Sequence, residues 1–452
     1  MSPANPANGN RIRGLPLFFS GRFFVILGCV SAALIPTYFY YPSGLVFPLT
    51  VDALLLLLAI FDFAAAPSTK DILIQRPLPY PLAVGRPNDV FLEIANKTER
   101  LVSIIIRDDV PPQCRTEHLP VTATLHPGDE TRFVYRATPT ERGTAEFGNI
   151  HFWLLGPMGL VWKRGEVAAA RTVKLYPGLA IIERQRMELR RRVSQEAMRP
   201  LWKKGHGTEF HSLRDYVVGD DSRLIHWGTS ARRGKPVVRQ NRVERSQTIF
   251  LVLDAGRMMT ARVLGKTKLD YALNAALLLA YAALELGDNV GVMMIAQDIL
   301  CFVPPSRTPG QFGRILDSTY ALEPRMEEPR FYLALSDLSL KLKRRALIVV
   351  FTDLIDERAS EGLLRYSLGL LPRHLPVVAA LSDTEIAGIA DSVPQGKQDL
   401  YRQGVAAEML GRRERALSRL RSSGVLVMDT PPDRISVQAL ERYLDIKTRN
   451  LL

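Results

Sequence analysis

Hydrophobic and polar positions alternate in three successive ways along the chain. The first is two long apolar runs. Phe23 to Tyr41 is nineteen residues without a charge, long enough to cross a bilayer as a helix. Tyr41-Pro42-Ser43-Gly44 reads as a turn, and Leu45 to about Ala66 is a second apolar run interrupted by Asp52 and Asp62. A carboxylate at the bilayer centre costs roughly 2.5–3.5 kcal/mol on insertion scales. Asp52 is therefore expected to face the partner helix or lie shallow, with a proton-relay role as the alternative. Arg11, Arg13 and Arg22 precede the first run and Lys70 and Arg76 follow the second, while the turn between has no Lys or Arg. The positive-inside rule then predicts a transmembrane hairpin over 23–66, with residues 1–22 and everything after it on the cytoplasmic side of a bacterial-type inner membrane. A cleaved signal peptide ending near Ser31-Ala32-Ala33 is the rival, and the second apolar run so close behind argues against it.

From 71 to 178 the period shortens to two. Val90, Leu92 and Ile94 alternate with polar neighbours, and Val102 to Ile106 is largely β-branched. Further runs lie at Arg132–Arg136, Asn149–Leu155 and Thr172–Tyr176. Pro, Gly and Asn break them at intervals that predict an antiparallel, sandwich-like domain. It holds no catalytic constellation and reads as a spacer or docking domain.

Beyond a basic linker and polar motif at 181–246, residues 247–452 settle into a βαβα rhythm. Strands are predicted at Thr248–Leu253, Val290–Ile295, Ala346–Phe351, Val377–Leu381 and Val425–Met428. Helices are predicted at Lys266–Leu286, Phe331–Leu342, Arg358–Leu371, Leu400–Arg421 and Ser436–Arg449, with a loop at Ser392–Asp399. Such alternation predicts an α/β fold with a doubly wound, mostly parallel sheet.

Composition adds three constraints. The 452 residues are too many for one core, and 47% hydrophobic content is high for a wholly soluble chain. Cys29, Cys114 and Cys301 are scattered with no CxxC pair, which excludes a disulfide framework or cysteine zinc cluster and fits a reducing compartment. The net charge of +13 is concentrated: Glu183 to Arg245 holds sixteen Lys/Arg against eight Asp/Glu, a surplus of +8. Anionic lipid, nucleic acid and an acidic protein face are the partners such a tract suits.

The stretch Gly205–Gln240 is the densest in polar groups and shows little apolar periodicity, so it must pair internally or face a partner. Asp220 or Asp221 is placed to cap a helix beginning near Ser222, on which Leu224, Ile225 and Trp227 would bury one side against the sheet. Arg223 could then reach Glu209 or Asp215, and Arg214 could reach Asp220. On one reading this network only pins the segment. On the other, Arg232, Arg233, Lys235 and Arg239 remain as a basic edge, next to a strand at Pro236–Gln240, for an acidic protein partner. The expected partner-binding set is Glu209, Arg214, Asp220, Arg223, Trp227, Arg232, Arg233 and Arg239. His206, His211 and His226 match no zinc spacing and read as ordinary hydrogen-bonding histidines. No GxSxG, catalytic cysteine context or GxxxxGK[ST] is present, so neither nucleophilic catalysis nor ATP hydrolysis is expected.

Two predicted strands end in carboxylates, Asp254 and Asp353, where ligands of parallel sheets sit. This arrangement resembles the von Willebrand factor A domain, whose first loop reads Asp-x-Ser-x-Ser and holds a divalent cation with a Thr and a second Asp. Here Asp254-Ala255-Gly256-Arg257-Met258 puts Gly and Met where the hydroxyls belong. Mg²⁺ demands oxygen ligands. Asp254 and Asp353 therefore form an incomplete site; either each caps a following loop or helix, or together they bind Mg²⁺ or Mn²⁺ weakly. No other cofactor is expected.

The signature Gly205-x-Gly207-x-Glu209-Phe210, Leu213-Arg214-x-Tyr216, Gly219-Asp220, Arg223-x-Ile225-x-Trp227 and Ser230-Ala231-Arg232 resembles the domain-of-unknown-function family number 58. The upstream Arg142-Gly143, Gly156-Pro157 and Gly159-Leu160 fit that family's β-region. The resemblance implies a von Willebrand A-like domain behind a membrane hairpin, association with a MoxR-type AAA+ ATPase, and help in assembling or activating client proteins. The expectation is a non-enzymatic scaffold. Two alternatives stand beside it: a cryptic metal hydrolase around Glu209, His211, Asp254 and Asp353, and a basic module for nucleic acid or anionic lipid. Poor aromatic interleaving argues against nucleic acid.

Overall fold

The computed structural model describes residues 17–40, 46–78, 81–178, 209–217, 222–242, 246–354, 357–449 and 451–452. The chain is mixed α/β with a β-rich N-terminal region, and it divides into two compact units, Met1–Gly178 and Leu179–Leu452.

In the N-terminal unit, helices Gly21–Tyr40 and Val46–Ala65 are followed by short strands. An antiparallel five-stranded sheet runs in the order Leu17–Phe19, Val161–Val167, Ile150–Leu155, Val102–Asp108, Val121–Leu125. A four-stranded sheet runs Ile72–Gln75, Asn88–Asn96, Glu130–Pro139, Cys114–Glu117. Alternation dictates which side chains go in. Val90, Leu92 and Ile94 of one sheet and Ile104, Ile106, Phe152 and Leu154 of the other share a single buried core. The apolar stretch Leu49–Asp71, of mean hydropathy 2.1, is long and apolar enough to cross a membrane, and only 22% of its apolar window is buried.

The C-terminal unit is built on a six-stranded sheet ordered Ile299–Ser306, Asn289–Ile295, Thr248–Asp254, Ala346–Thr352, Leu375–Leu381, Leu426–Thr430. The last five are mutually parallel, and Ile299–Ser306 pairs antiparallel at one edge. That edge strand is not among those predicted from the hydrophobic pattern. It carries Pro304 and Pro305, which cannot donate to a ladder and are tolerated only at an edge.

Helices cover both faces. Phe250 and Val252 pack with Leu335, Leu338, Leu363 and Leu417 from helices Phe331–Lys341, Glu357–Leu370 and Lys397–Ser422. The opposite face takes helices Lys268–Glu285 and Ile435–Thr448. The former starts at a capping box in which Thr267 and Asp270 satisfy each other's backbone donors, and it buries twelve of its eighteen residues. A parallel strand buried on both faces must be apolar through its interior, as Ile249–Leu253 and Ala346–Phe351 are, with polar groups only at the strand ends.

Candidate functional site

Where the parallel strands end, the structure gathers charge. Asp254 is 2% exposed. Its Oδ1 accepts the Gly256 N–H at 2.7 Å and its Oδ2 accepts the Thr352 hydroxyl at 2.6 Å. Burial is the largest influence and lifts its pKa to about 6, against the pull of those two hydrogen bonds.

Asp353 is held by two buried cations. Lys268 Nζ donates to its Oδ2 at 2.8 Å, and Arg413 Nη1 donates to its Oδ1 at 2.6 Å. Lys268 also reaches Asp383 Oδ2 at 3.0 Å, and Arg413 Nη2 reaches Asp429 Oδ1 at 2.7 Å. Asp383 additionally caps helix Thr384–Asp391 by accepting from the Glu385 and Ile386 N–H groups. Burial works to raise the Asp383 carboxyl, but the hydrogen bond and charge of Lys268 outweigh it and hold the group below its ordinary value. Two cations thus tie together three carboxylates from three strand ends, fastening helices Lys268–Glu285 and Lys397–Ser422 to the sheet.

A divalent cation does not fit this set. The carboxylate oxygens that would coordinate it already accept from Lys268, Arg413, Thr352 and Gly256. Gly256 leaves no space for the serine of a metal loop, because a Cβ there would meet Glu327 O at 2.8 Å and Pro329 Cδ at 2.7 Å. Among the described residues no group of three or more His, Cys, Asp or Glu could hold a metal ion.

The signature segment folds as a hairpin with a helical insertion. Strands Glu209–Asp215 and Val237–Arg242 pair antiparallel, with a bulge between Phe210 and Ser212. Between them lie a short turn at Ser222–Leu224 and helix Trp227–Arg233, ended by Gly234 at φ +68°. The helix is capped by His226, whose Nδ1 accepts the Thr229 N–H at 3.2 Å. Ser230, its buried residue, donates to His226 O at 3.0 Å and accepts the Val237 N–H at 2.9 Å.

This geometry revises several expectations drawn from the sequence. Trp227, expected to pack against the sheet, is 71% exposed. The helix has only seven residues, and its inward position is taken by Ser230 rather than an aromatic. Lys235, expected to stay free, pairs with Asp215 at 2.6 Å on the surface. Arg214 Nη1 donates to the Asp215 carbonyl at 3.2 Å. Arg232 and Arg233 are exposed in the last helical turn. Asp220, Asp221 and His206 lie outside the described residues, and Glu209, His211, Arg223 and Arg239 are described in their backbone alone.

The pattern of the sequence alone did not single out Lys268, Asp383, Arg413 or Asp429. Asp383 and Asp429 lie at the carboxyl ends of the last two strands, so inspecting every predicted strand end for a carboxylate would have found them. The two cations sit on helices at spacings that carry no motif.

The chain is 27% identical over 154 residues to three uncharacterized mycobacterial proteins, Mb1516 of Mycobacterium bovis and MT1527 and Rv1480 of Mycobacterium tuberculosis. The match takes in 33% of this chain and 48% of each of theirs, so the chain spans about half the length of the curated relatives it matches. Among solved structures, the conserved hypothetical protein BatB from Bacteroides thetaiotaomicron aligns at 12% identity and TM-score 0.31. That alignment covers 45% of this chain and all of BatB. The CARDB domain of PF1109 from Pyrococcus furiosus aligns at 18% identity and TM-score 0.17, over 23% of this chain and 87% of that one. Residues 212–382 match the family model described as "Protein of unknown function DUF58", the family that the Gly205–Arg232 signature resembles.

Proposed function

We propose that the chain is a membrane-anchored, non-enzymatic scaffold whose C-terminal unit docks a MoxR-type AAA+ ATPase or its client. In this reading the two N-terminal apolar helices form a hairpin with both ends in the cytoplasm, and the parallel sheet is a von Willebrand A-like, doubly wound domain. The observation that carries the proposal is the face of helix Trp227–Arg233. A tryptophan 71% exposed beside Arg232 and Arg233 combines the residue types that dominate binding hot spots, on a helix that buries little else. The positive charge suits an acidic partner surface.

The carboxyl edge supports the non-enzymatic part. Its acidic side chains are committed to Lys268, Arg413, Thr352 and backbone donors, which leaves the cryptic hydrolase reading without a free base or metal ligand among them. The test is site-specific photo-crosslinking from position 227 in native membranes. The expected product is an adduct with an AAA+ ATPase or a single client, lost in the Arg232→Glu/Arg233→Glu double variant. Adducts with neither, from a chain that is folded and membrane-bound, would remove the proposal's main support.

A further inference from the structure

The sequence marks Asp62 as a carboxylate out of place in an apolar helix, and its surroundings in the N-terminal unit account for it. Asp62 lies one turn from the end of helix Val46–Ala65 and is fully buried. Its carboxylate accepts three backbone N–H groups, from Met158 at 2.7 Å, Leu160 at 2.8 Å and Val161 at 3.1 Å. Successive backbone donors curled around an anion form a nest, and hydrogen bonds to a charged acceptor are the strong kind. The nest needs its glycines. A Cβ on Gly156 would stand 2.5 Å from the Asp62 carboxylate, and Gly159 holds φ +76°.

The same turn grips the start of the other apolar helix. Ser20 Oγ donates to Gly159 O at 2.6 Å and Ser20 N–H donates to Leu160 O at 2.8 Å. Just before it, Leu17–Phe19 pairs with Val161–Lys163. Phe23, Leu55 and Ala59 pack on Leu160 and Val161. Both feet of the helix pair are therefore seated on one five-residue turn of the β-rich region.

The surface of this junction is divided by chemistry. Phe61 and Leu57 on one helix and Phe24 on the other are each more than half exposed, and at the turn Met158 is 49% exposed. Ringing these are cations: Arg22 sits beside Gly159, Lys163 lies 5.4 Å over the Phe63 ring, and Arg100 donates to Ala65 O. Apolar side chains flanked by Lys and Arg at the end of an apolar helix is the pattern of a bilayer interface, and cations there attract anionic headgroups.

We infer that the Gly156–Leu160 turn is a membrane-surface contact that locks Asp62 out of the lipid and places Met158 among anionic phospholipid headgroups, with Arg22 and Lys163 binding their phosphates. This rests on the membrane anchoring proposed above. The partner is the lipid bilayer itself.

The test uses the full chain with Cys29, Cys114 and Cys301 replaced by serine and Met158→Cys carrying an environment-sensitive dye, reconstituted into protein-free vesicles. With phosphatidylglycerol present the dye emission shifts to the blue. A quencher attached near the headgroup dims it more than one at the chain terminus. Arg22→Gln/Lys163→Gln brings the shift down to that seen in phosphatidylcholine alone. Asp62→Ala abolishes the preference for the shallow quencher. Flotation of the same vesicles after alkaline wash reports anchoring separately. Flotation without a shift overturns the inference and leaves the anchor standing; no flotation overturns both. A shift found only in native membranes, and not in protein-free vesicles, assigns the turn to a protein partner and overturns the lipid assignment.

Discussion

Lys268 is where the chemistry of the carboxyl edge is decided. It is 2% exposed, occupies the first helical position after the Thr267 cap, and neutralises carboxylates from two different strand ends. Removing one partner of a buried ion pair leaves the other charged and unsolvated, at a cost of about 3–5 kcal/mol. Lys268→Met is expected to lower stability by that order in chemical denaturation of the C-terminal unit's transition, whether or not Mg²⁺ is present. A gain in stability on adding Mg²⁺ to the wild type would argue instead that a divalent cation belongs there. Asp254 gives a pH signature. Its folded pKa, about 6, lies above the ordinary carboxylate value of 3.8, so its contribution is full below pH 3.8 and is lost as pH rises through about 6. Asp254→Asn keeps the neutral shape at every pH. Its stability relative to wild type should therefore improve between pH 4 and 7, by on the order of 2–3 kcal/mol. A difference flat with pH would show that Asp254 ionises normally.

At the scale of elements, the sequence was legible where burial is two-sided and opaque where polar groups satisfy one another. The runs IFLVL and ALIVVF read as interior strands because an unbroken apolar run of that length suits a position between two layers of helix. Strand Ile299–Ser306 is hidden because its alternation is weak and its prolines read as loop, and Glu209–Asp215 because its residues are mainly polar, whereas its hairpin partner Val237–Arg242 overlaps the strand read at Pro236–Gln240. Asp254 and Asp353 were found at the right strand ends, while the cations that hold Asp353 come from distant helices and leave no local trace. Gly256→Ser should not create a metal loop. Its side chain collides with the Glu327 carbonyl and the Pro329 ring, and overpacking of this kind costs about 1–3 kcal/mol, read as a lower melting temperature unaffected by Mn²⁺. Trp227→Ala, by contrast, removes a side chain that is mostly in solvent, and should shift stability by no more than about 0.5 kcal/mol. Marked destabilisation by Trp227→Ala would mean that the tryptophan is a structural residue after all.

For the whole molecule, the proposed role assigns a different task to each of the two units. The N-terminal unit carries the apolar helices and seats them on its β-rich region through Asp62 and Ser20. The C-terminal unit presents a sheet edge whose carboxylates Asp353, Asp383 and Asp429 are paired with Lys268 and Arg413, and a signature segment that exposes Trp227, Arg232 and Arg233. In the proposed role the first holds the molecule at the membrane and the second meets the partner. Because Arg232 and Arg233 contribute through charge in solvent, their effect should fall chiefly on association rate and should weaken with salt. The most direct test is the binding of a purified MoxR-type AAA+ ATPase to the full chain in lipid nanodiscs, followed with ionic strength. The scaffold account predicts saturable binding that weakens as salt rises, is lost in Trp227→Ala/Arg232→Glu/Arg233→Glu, and is unchanged by chelating divalent ions from the chain beforehand. Binding equally tight in the triple variant, or abolished by chelation in the wild type, would contradict it.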